Sequence, residues 1–198
     1  MNYDDGFSII YADPPWSYND AGCNGAAAGQ YATLRVEDIA KLPVHTLAAK
    51  NCVLFMWATY PLIAEALDVI RGWGFTYKSI AFQWVKLNPK AGTPFYGLGR
   101  WTRGNTEPCL IATRGKPARV SKSVHQLVGY DDALPLTLEH PIGKHSSKPP
   151  IVRDKIVELM GDVPRIELFA RERTPGWIAT GYDLDGVDIR DLLKEGDE

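Results

Sequence analysis

The chain has 198 residues, 45% of them hydrophobic and 23% charged, and a formal net charge of −2. That length fits one domain with a sizeable core, and the composition excludes both a disordered polymer and a molecule that binds polyanions over its whole surface. No apolar run reaches the roughly 18 residues of a membrane span, and Cys23, Cys52 and Cys109 lack the C-x-x-C spacing of a four-ligand zinc site or a disulfide framework.

The first residues, Met1-Asn2-Tyr3-Asp4-Asp5, carry no basic segment, so no secretory signal is expected and the expected location is the cytoplasm. Residues 7–12 read as a strand, followed by a Gly/Ala-rich loop from Ser17 to Gln30 and a short helix from Val36 to Leu42. Residues 52–57 form a continuous apolar run, the signature of a strand covered on both faces. Ile63, Ala66, Leu67 and Ile70 fall at i, i+3, i+4 and i+7, which predicts an amphipathic helix from Tyr60 to Arg71, ended by Gly72 and Gly74. Residues 76–85 are rich in β-branched and aromatic residues, a strand, and Leu87 to Gly104 reads as a long functional loop. Residues 107–113 predict another strand, and Ser121 to Lys148 is irregular. Val152, Ile156, Leu159 and Met160 mark a helix begun by Pro149 and Pro150, and residues 165–169 a late strand. The alternation of strands and helices predicts an α/β layered fold. From Asp183 onward seven acidic residues face two basic ones, a solvated tail.

Immediately after the first strand stands Asp13-Pro14-Pro15-Trp16. Asp13 and Pro14 each precede a proline and are held in extended conformations. Proline has no N–H, so the segment is not expected to pair normally and its carbonyls are expected to stay free. Open α/β sheets bind ligands at the carboxyl ends of their strands, where this segment falls. It presents a carboxylate, a fixed carbonyl and an aromatic face together. An exocyclic amine on a nucleobase matches that set: Asp13 and the Pro14 carbonyl each accept one N–H, and Trp16 stacks on the ring. Accepting both hydrogens frees the nitrogen lone pair to attack an electrophilic methyl group. A cationic sulfonium donor is favoured beside Asp13, and the base has to be unpaired or flipped out. Adenine and cytosine amines serve equally on this reading.

The motif resembles the signature of the METTL-type adenine methyltransferases, which include mRNA 6-methyladenine writers and phage or bacterial DNA-modifying relatives. The resemblance runs from about residue 8 to 186. Residues 52–57, 101–110, 147–149 and 166–171 with Pro175-Gly176-Trp177 and Gly181 match in order. It implies a single Rossmann-like methyltransferase domain over residues 1–186, with an acidic tail at 187–198. The sheet is expected to be circularly permuted and mostly parallel, with helices on both faces, the catalytic strand first and the cofactor strand late. It implies S-adenosylmethionine as donor, adenine as target and Asp13, Pro14, Pro15 and Trp16 as the catalytic set. Asp13, Lys148, Glu167, Phe169, Arg171 and Asp183 are then the cofactor residues: Lys148 meets the cofactor carboxylate, and Arg171 and Asp183 its ribose. Tyr182 replaces the usual amide. Some members read the cofactor adenine with a Cys-Asp segment ahead of the catalytic strand; here that contact is expected to come from elsewhere.

Eight basic residues lie between Lys86 and Lys122 against one acidic residue, Glu107, with Phe95, Tyr96 and Trp101 interleaved. The reading is a phosphate-gripping face beside the flipped base; the plain alternative is a solvated loop. Tyr18, Arg100, Trp101, Arg103, Asn105 and Glu107 are the substrate residues, with Arg100 and Arg103 on phosphate and Asn105 and Glu107 either on the base or bracing the loop. Cys109, in an apolar strand, reads as a core residue and not a nucleophile. DNA is expected as the partner over RNA, with no membrane. A catalytically silent nucleic-acid-binding subunit is the rival reading; such partners tend to lose the acid or the aromatic of the motif, and both are present here.

Overall fold

Four successive side chains, Ile9 to Ala12, are buried in β1 (Phe7–Ala12), as in a strand covered on both faces. The computed structural model describes residues 5–17, 34–88, 91–97, 99, 101–128 and 148–185. After β1 come α1 (Val36–Ala40), β2 (Ala48–Trp57), α2 (Ile63–Gly72), β3 (Thr76–Val85), β4 (Thr106–Arg114) and β5 (Leu127–Val128). Then follow α3 (Ile151–Met160), β6 (Arg165–Leu168), β7 (Ile178–Thr180) and the single turn α4 (Tyr182–Asp185).

The strands form one seven-stranded sheet in the order β5-β3-β4-β2-β1-β6-β7. β4 is antiparallel to both its neighbours, β2 and β3. The pairings of β1 with β2 and β6, β6 with β7, and β3 with β5 are parallel. Alternate side chains of the strands go to opposite faces. Ile10, Leu54 and Met56 pack with Ile39 of α1 and Val69 and Ile70 of α2 on one face. Ile9, Tyr11, Phe55 and Trp57 pack with Val152 and Ile156 of α3 on the other. Each such side chain contributes about 1.5–3 kcal/mol on burial. This is the Rossmann-like α/β layering expected, and β1 sits inside the sheet between β2 and β6, the permuted order.

Several boundaries differ from expectation. β2 starts at Ala48, and α1 stops at Ala40, where Lys41 takes over as the cap. Gly72 is the last residue of α2, with Trp73 as the cap. A Cβ there would stand 2.6 Å from the Ala40 carbonyl oxygen, so glycine is what lets α1 and α2 approach. Gly74, at φ +80°, makes the stop. Tyr60–Leu62 is a 3-10 turn rather than the start of the α-helix. The strands β5 and β7 were not expected as such; two and three residues long, they are too short for a periodic signal. Most of the Gly/Ala-rich loop and the acidic tail fall outside the described residues. No described helix is long and apolar enough to cross a membrane.

Candidate active site

Parallel strands β1, β2, β6 and β7 end at one edge of the sheet, and antiparallel β4 begins there. Asp13 after β1, Glu107 at the start of β4 and Lys148 just before α3 therefore converge. Lys148 Nζ lies 2.8 Å from Asp13 Oδ1 and 3.0 Å from Glu107 Oε1. Lys86 Nζ lies 2.8 Å from Glu107 Oε2. The result is a chain of alternating charge, Asp13–Lys148–Glu107–Lys86, whose four charges sum to zero. Its central members are nearly inaccessible, with side-chain exposures of 9% for Lys148 and 6% for Glu107, while Asp13 keeps 19%. Two indoles floor the chain: Lys148 Nζ is 5.6 Å from the Trp57 ring and Lys86 Nζ 5.2 Å from the Trp84 ring.

Burial alone disfavours the Lys148 ammonium, but Asp13 and Glu107 outweigh it and hold its pKa above the ordinary lysine value. Burial likewise disfavours the Glu107 carboxylate, and Lys148 and Lys86 reverse that, leaving its pKa below the usual range. Both Glu107 oxygens are committed to lysines, which favours the bracing role over contact with a base.

The Pro-Pro corner is more tightly bonded than its sequence implies. Its carbonyls are not free: the Trp16 N–H donates to the Pro14 oxygen at 2.9 Å, and the Leu34 N–H to the Pro15 oxygen at 3.0 Å. Trp16 and Leu34 form a parallel bridge. Proline lacks a donor but not an acceptor, and neighbouring N–H groups use it. Each carbonyl retains a second lone pair. Trp16 is packed in the core beside α1 and α2, 6% exposed, and its indole N–H donates to the Trp57 carbonyl at 3.1 Å. The ring is thus a fixed wall of the corner and not the open stacking platform expected.

On the β6 side, Arg153 of α3 grips Glu167 with two bonds, Nε to Oε2 at 2.7 Å and Nη2 to Oε1 at 2.8 Å. Burial lifts the Glu167 carboxyl above its usual value despite this fork. Arg153 also reaches Glu172 at 3.3 Å and lies 5.9 Å from the Tyr11 ring. Tyr11 Oη in turn accepts the Trp57 indole N–H at 2.6 Å. This aromatic link joins the Glu167 side to the Asp13 side. Phe169, the first residue past β6, has φ +60°, a conformation that costs a non-glycine residue about 1–3 kcal/mol and tends to mark functional turns. The Ala170 N–H donates to the Thr180 carbonyl at 3.0 Å, and a Cβ on Gly181 would stand 2.1 Å from the Ala170 oxygen. The turns after β6 and β7 are thereby held together, with half-buried Arg171 on the first of them.

Asp13, Lys148, Glu107 and Glu167 thus come to one edge of the sheet, as does Phe169. Arg103 donates to the Tyr96 carbonyl at 3.1 Å in the loop leading to β4, and the Asn105 carbonyl accepts the Lys86 N–H at 2.8 Å. Tyr18, Arg100 and the side chain of Asp183 lie outside the described residues. The single basic face expected from Lys86 to Lys122 is split. Arg114 ends β4 at the far edge of the sheet, with its guanidinium on the His45 carbonyl at 2.6 Å, and Lys116 and Arg119 follow it. Because β4 runs against its neighbours, its length separates these cations from Glu107. Cys109 is fully buried, and burial followed by the Asp13 charge pushes its thiol well above the ordinary value, which suits a core residue.

Sequence reasoning took Lys86 as one cation of the basic run and Tyr11 and Trp57 as strand residues, and assigned no role to Arg153. A usable signal existed for Arg153: it lies three residues before Ile156 and seven before Met160, on the buried stripe of α3.

A family model described as MT-A70 matches residues 7–183. A type II methyltransferase, M.MunI from Mycoplasma sp, is 32% identical over 90% of this chain and 78% of its own length. The N(6)-adenine-specific methyltransferase METTL4 of Homo sapiens is 27% identical over 93% of the chain, and an N(6)-adenosine-methyltransferase MT-A70-like protein of Arabidopsis thaliana 26% over 96%. The chain spans 39% and 25% of the lengths of these last two.

Proposed function

Because the chain belongs to the MT-A70 family, we propose that it transfers a methyl group from S-adenosylmethionine to the exocyclic 6-amino group of adenine in DNA. The observation that carries this reading is the buried pairing of Lys148 with Asp13 at the Pro-Pro corner, 2.8 Å apart. It fixes one carboxylate where β1 ends: Lys148 Nζ lies 2.8 Å from Oδ1 and 2.9 Å from Oδ2, and the remaining lone pairs face the 19% of the side chain that stays exposed.

In this reading the extruded adenine enters with its amine toward the corner. Asp13 accepts one N–H, and the remaining lone pair of the Pro14 carbonyl accepts the other. The nitrogen lone pair is then free to form the new N–C bond, and the proton displaced from nitrogen leaves by way of the Asp13 carboxylate. Lys148 holds that carboxylate in place, Glu107 and Lys86 hold Lys148, and Trp16 keeps the corner from moving. Most of the rate comes from positioning.

The donor set at this edge fits S-adenosylmethionine. Lys148 is a buried cation for its carboxylate, Asp13 an anion beside its positive centres, and Phe169 and Arg171 line the strained turn after β6. When bound, the cofactor supplies an electrophilic methyl group. Arg103 serves as a phosphate contact. DNA is favoured over RNA because the type II methyltransferase is, of the three relatives described, the one whose length this chain mostly spans. An intact Asp13 and its charge chain weigh against a silent binding subunit, which has no need of them.

The test is incubation with methyl-labelled donor and DNA or RNA oligonucleotides, followed by mass spectrometry of the nucleosides. 6-Methyladenine in DNA is expected. Methylcytosine, or label confined to RNA, overturns the substrate assignment. Asp13→Ala is expected to lower turnover at least about a hundredfold, with the fold retained by circular dichroism and a reduced melting temperature, because Lys148 loses one of its two carboxylates.

A further inference from the structure

Trp101 is 93% exposed, an unusual state for the most hydrophobic of the large side chains to be spent on solvent. Its surroundings are ordered by bonds rather than by packing. The Gly97 N–H donates to the Gly104 carbonyl at 2.8 Å, so Trp101 stands between two bonded points of the chain. A Cβ on Gly99 would stand 1.9 Å from the Thr102 oxygen, so the Gly99 and Thr102 backbones lie against each other. Arg103 ties to the Tyr96 carbonyl, and the Phe95 N–H donates to the Lys86 carbonyl at 2.8 Å. The loop therefore rises directly from the segments that carry Lys86 and Glu107. Tyr96 is 52% exposed and Phe95 37%, and Tyr60, 51% exposed, joins Thr106 of β4 at 3.0 Å. Four aromatic rings are thus presented to solvent at the edge of the sheet where Asp13 ends β1.

We propose that Trp101 stacks on a nucleobase flanking the target adenine and holds the strand open while that adenine is extruded into the Asp13 corner. The inference rests on the proposed function and deepens it by assigning a positioning residue for the nucleic acid. A nucleic-acid strand fits this surface better than a protein partner does, because an exposed cation, Arg103, stands among the aromatics. It also suits the recessed amine-binding corner: Trp16 is 6% exposed and has no open face to stack on the base. Some other ring has to replace the stacking that the extruded adenine and its neighbours lose. Base stacking on an aromatic side chain strengthens binding by roughly 5- to 150-fold.

The test uses the full chain and DNA oligonucleotides holding one adenine, intact or with an abasic site at the position on either side of it. Trp101→Ala is expected to lower kcat/KM on the intact oligonucleotide about tenfold, with donor affinity and melting temperature unchanged, while Trp101→Phe retains most of it. An abasic site at one flanking position is expected to cost the wild type a similar factor and to cost Trp101→Ala nothing further. Wild-type tryptophan emission is expected to be quenched by the intact oligonucleotide more than that of Trp101→Phe. Losses that multiply at both positions, or a Trp101→Ala variant as active as wild type, overturn the inference while leaving the methyltransferase reading intact. Dissociation of a dimer by Trp101→Ala in sedimentation assigns the loop to a second copy and also overturns it. If no oligonucleotide is methylated by the wild type, the proposed function fails, and the quenching comparison alone then decides the stacking role.

Discussion

Lys148 stands between two carboxylates in a place almost closed to water, and its value depends on both. Removing one member of a buried ion pair leaves the other charge without compensation, which costs about 3–5 kcal/mol. Lys148→Met removes the link between Asp13 and Glu107 while keeping the length of the side chain over Trp57. Urea unfolding is expected to show a loss of that size. Turnover is expected to fall by roughly a hundredfold, since a displacement of about 1 Å at the corner suffices for that. Equal stability of variant and wild type contradicts the compensated-charge account. None of this was legible locally. Asp13 and Lys148 are 135 residues apart, and a lysine before two prolines looks like any surface lysine. The Pro-Pro string was legible because its stiffness is intrinsic to proline; which N–H groups its carbonyls would accept was not, because those belong to Trp16 and Leu34.

β4 decides which cations can serve the site. Running against its neighbours, it brings Glu107 to the catalytic edge and carries Arg114 to the other. A run of basic residues read along the chain looks like one patch, whereas strand direction divides it in two. The distinction is measurable in the salt dependence of DNA binding, where each phosphate contact adds about 0.9 to the slope of log K against log salt. Arg103→Glu is expected to flatten that slope by about one or more. Arg119→Glu is expected to leave both slope and turnover near wild type. A flattened slope for Arg119→Glu puts the far edge on the nucleic acid after all. The long strands were readable because burial on both faces forces continuous apolar runs, as in β1 and β2. The short ones, β5 and β7, are defined by their neighbours and not by their own residues.

For the whole molecule, acid and alkali attack the charge chain from opposite ends. Glu107 has its folded pKa below the unfolded value of about 4.3, so its contribution is present above that value and is lost as pH falls through the lowered one. Lys148 has its folded pKa raised above about 10.4, so its contribution is present below that value and is lost as pH rises through the raised one. The charge chain's share of the melting temperature is expected to stay level between these limits and to fall beyond both. Glu107→Gln is expected to lower the plateau and to soften the acid limb; an acid limb identical to wild type shows that other carboxylates govern it. The α/β class was legible from alternation alone and the helices on both faces from the family resemblance, while the joining of Tyr11, Trp57 and Arg153 was hidden because each reads as ordinary core or surface.

β1 keeps one side of its backbone for β6, with Ile9 opposite Arg165 and Leu168 opposite Ala12. A chain still emerging from the ribosome has β2 to pair with early, but the second side stays uncovered until β6 is made, after β2, β3, β4 and β5. Until then a largely apolar strand is an open edge, the kind that recruits strands from other chains. Any truncation ahead of Arg165 makes that interval permanent, so shortened products are bound for chaperones or inclusion bodies rather than for slow catalysis.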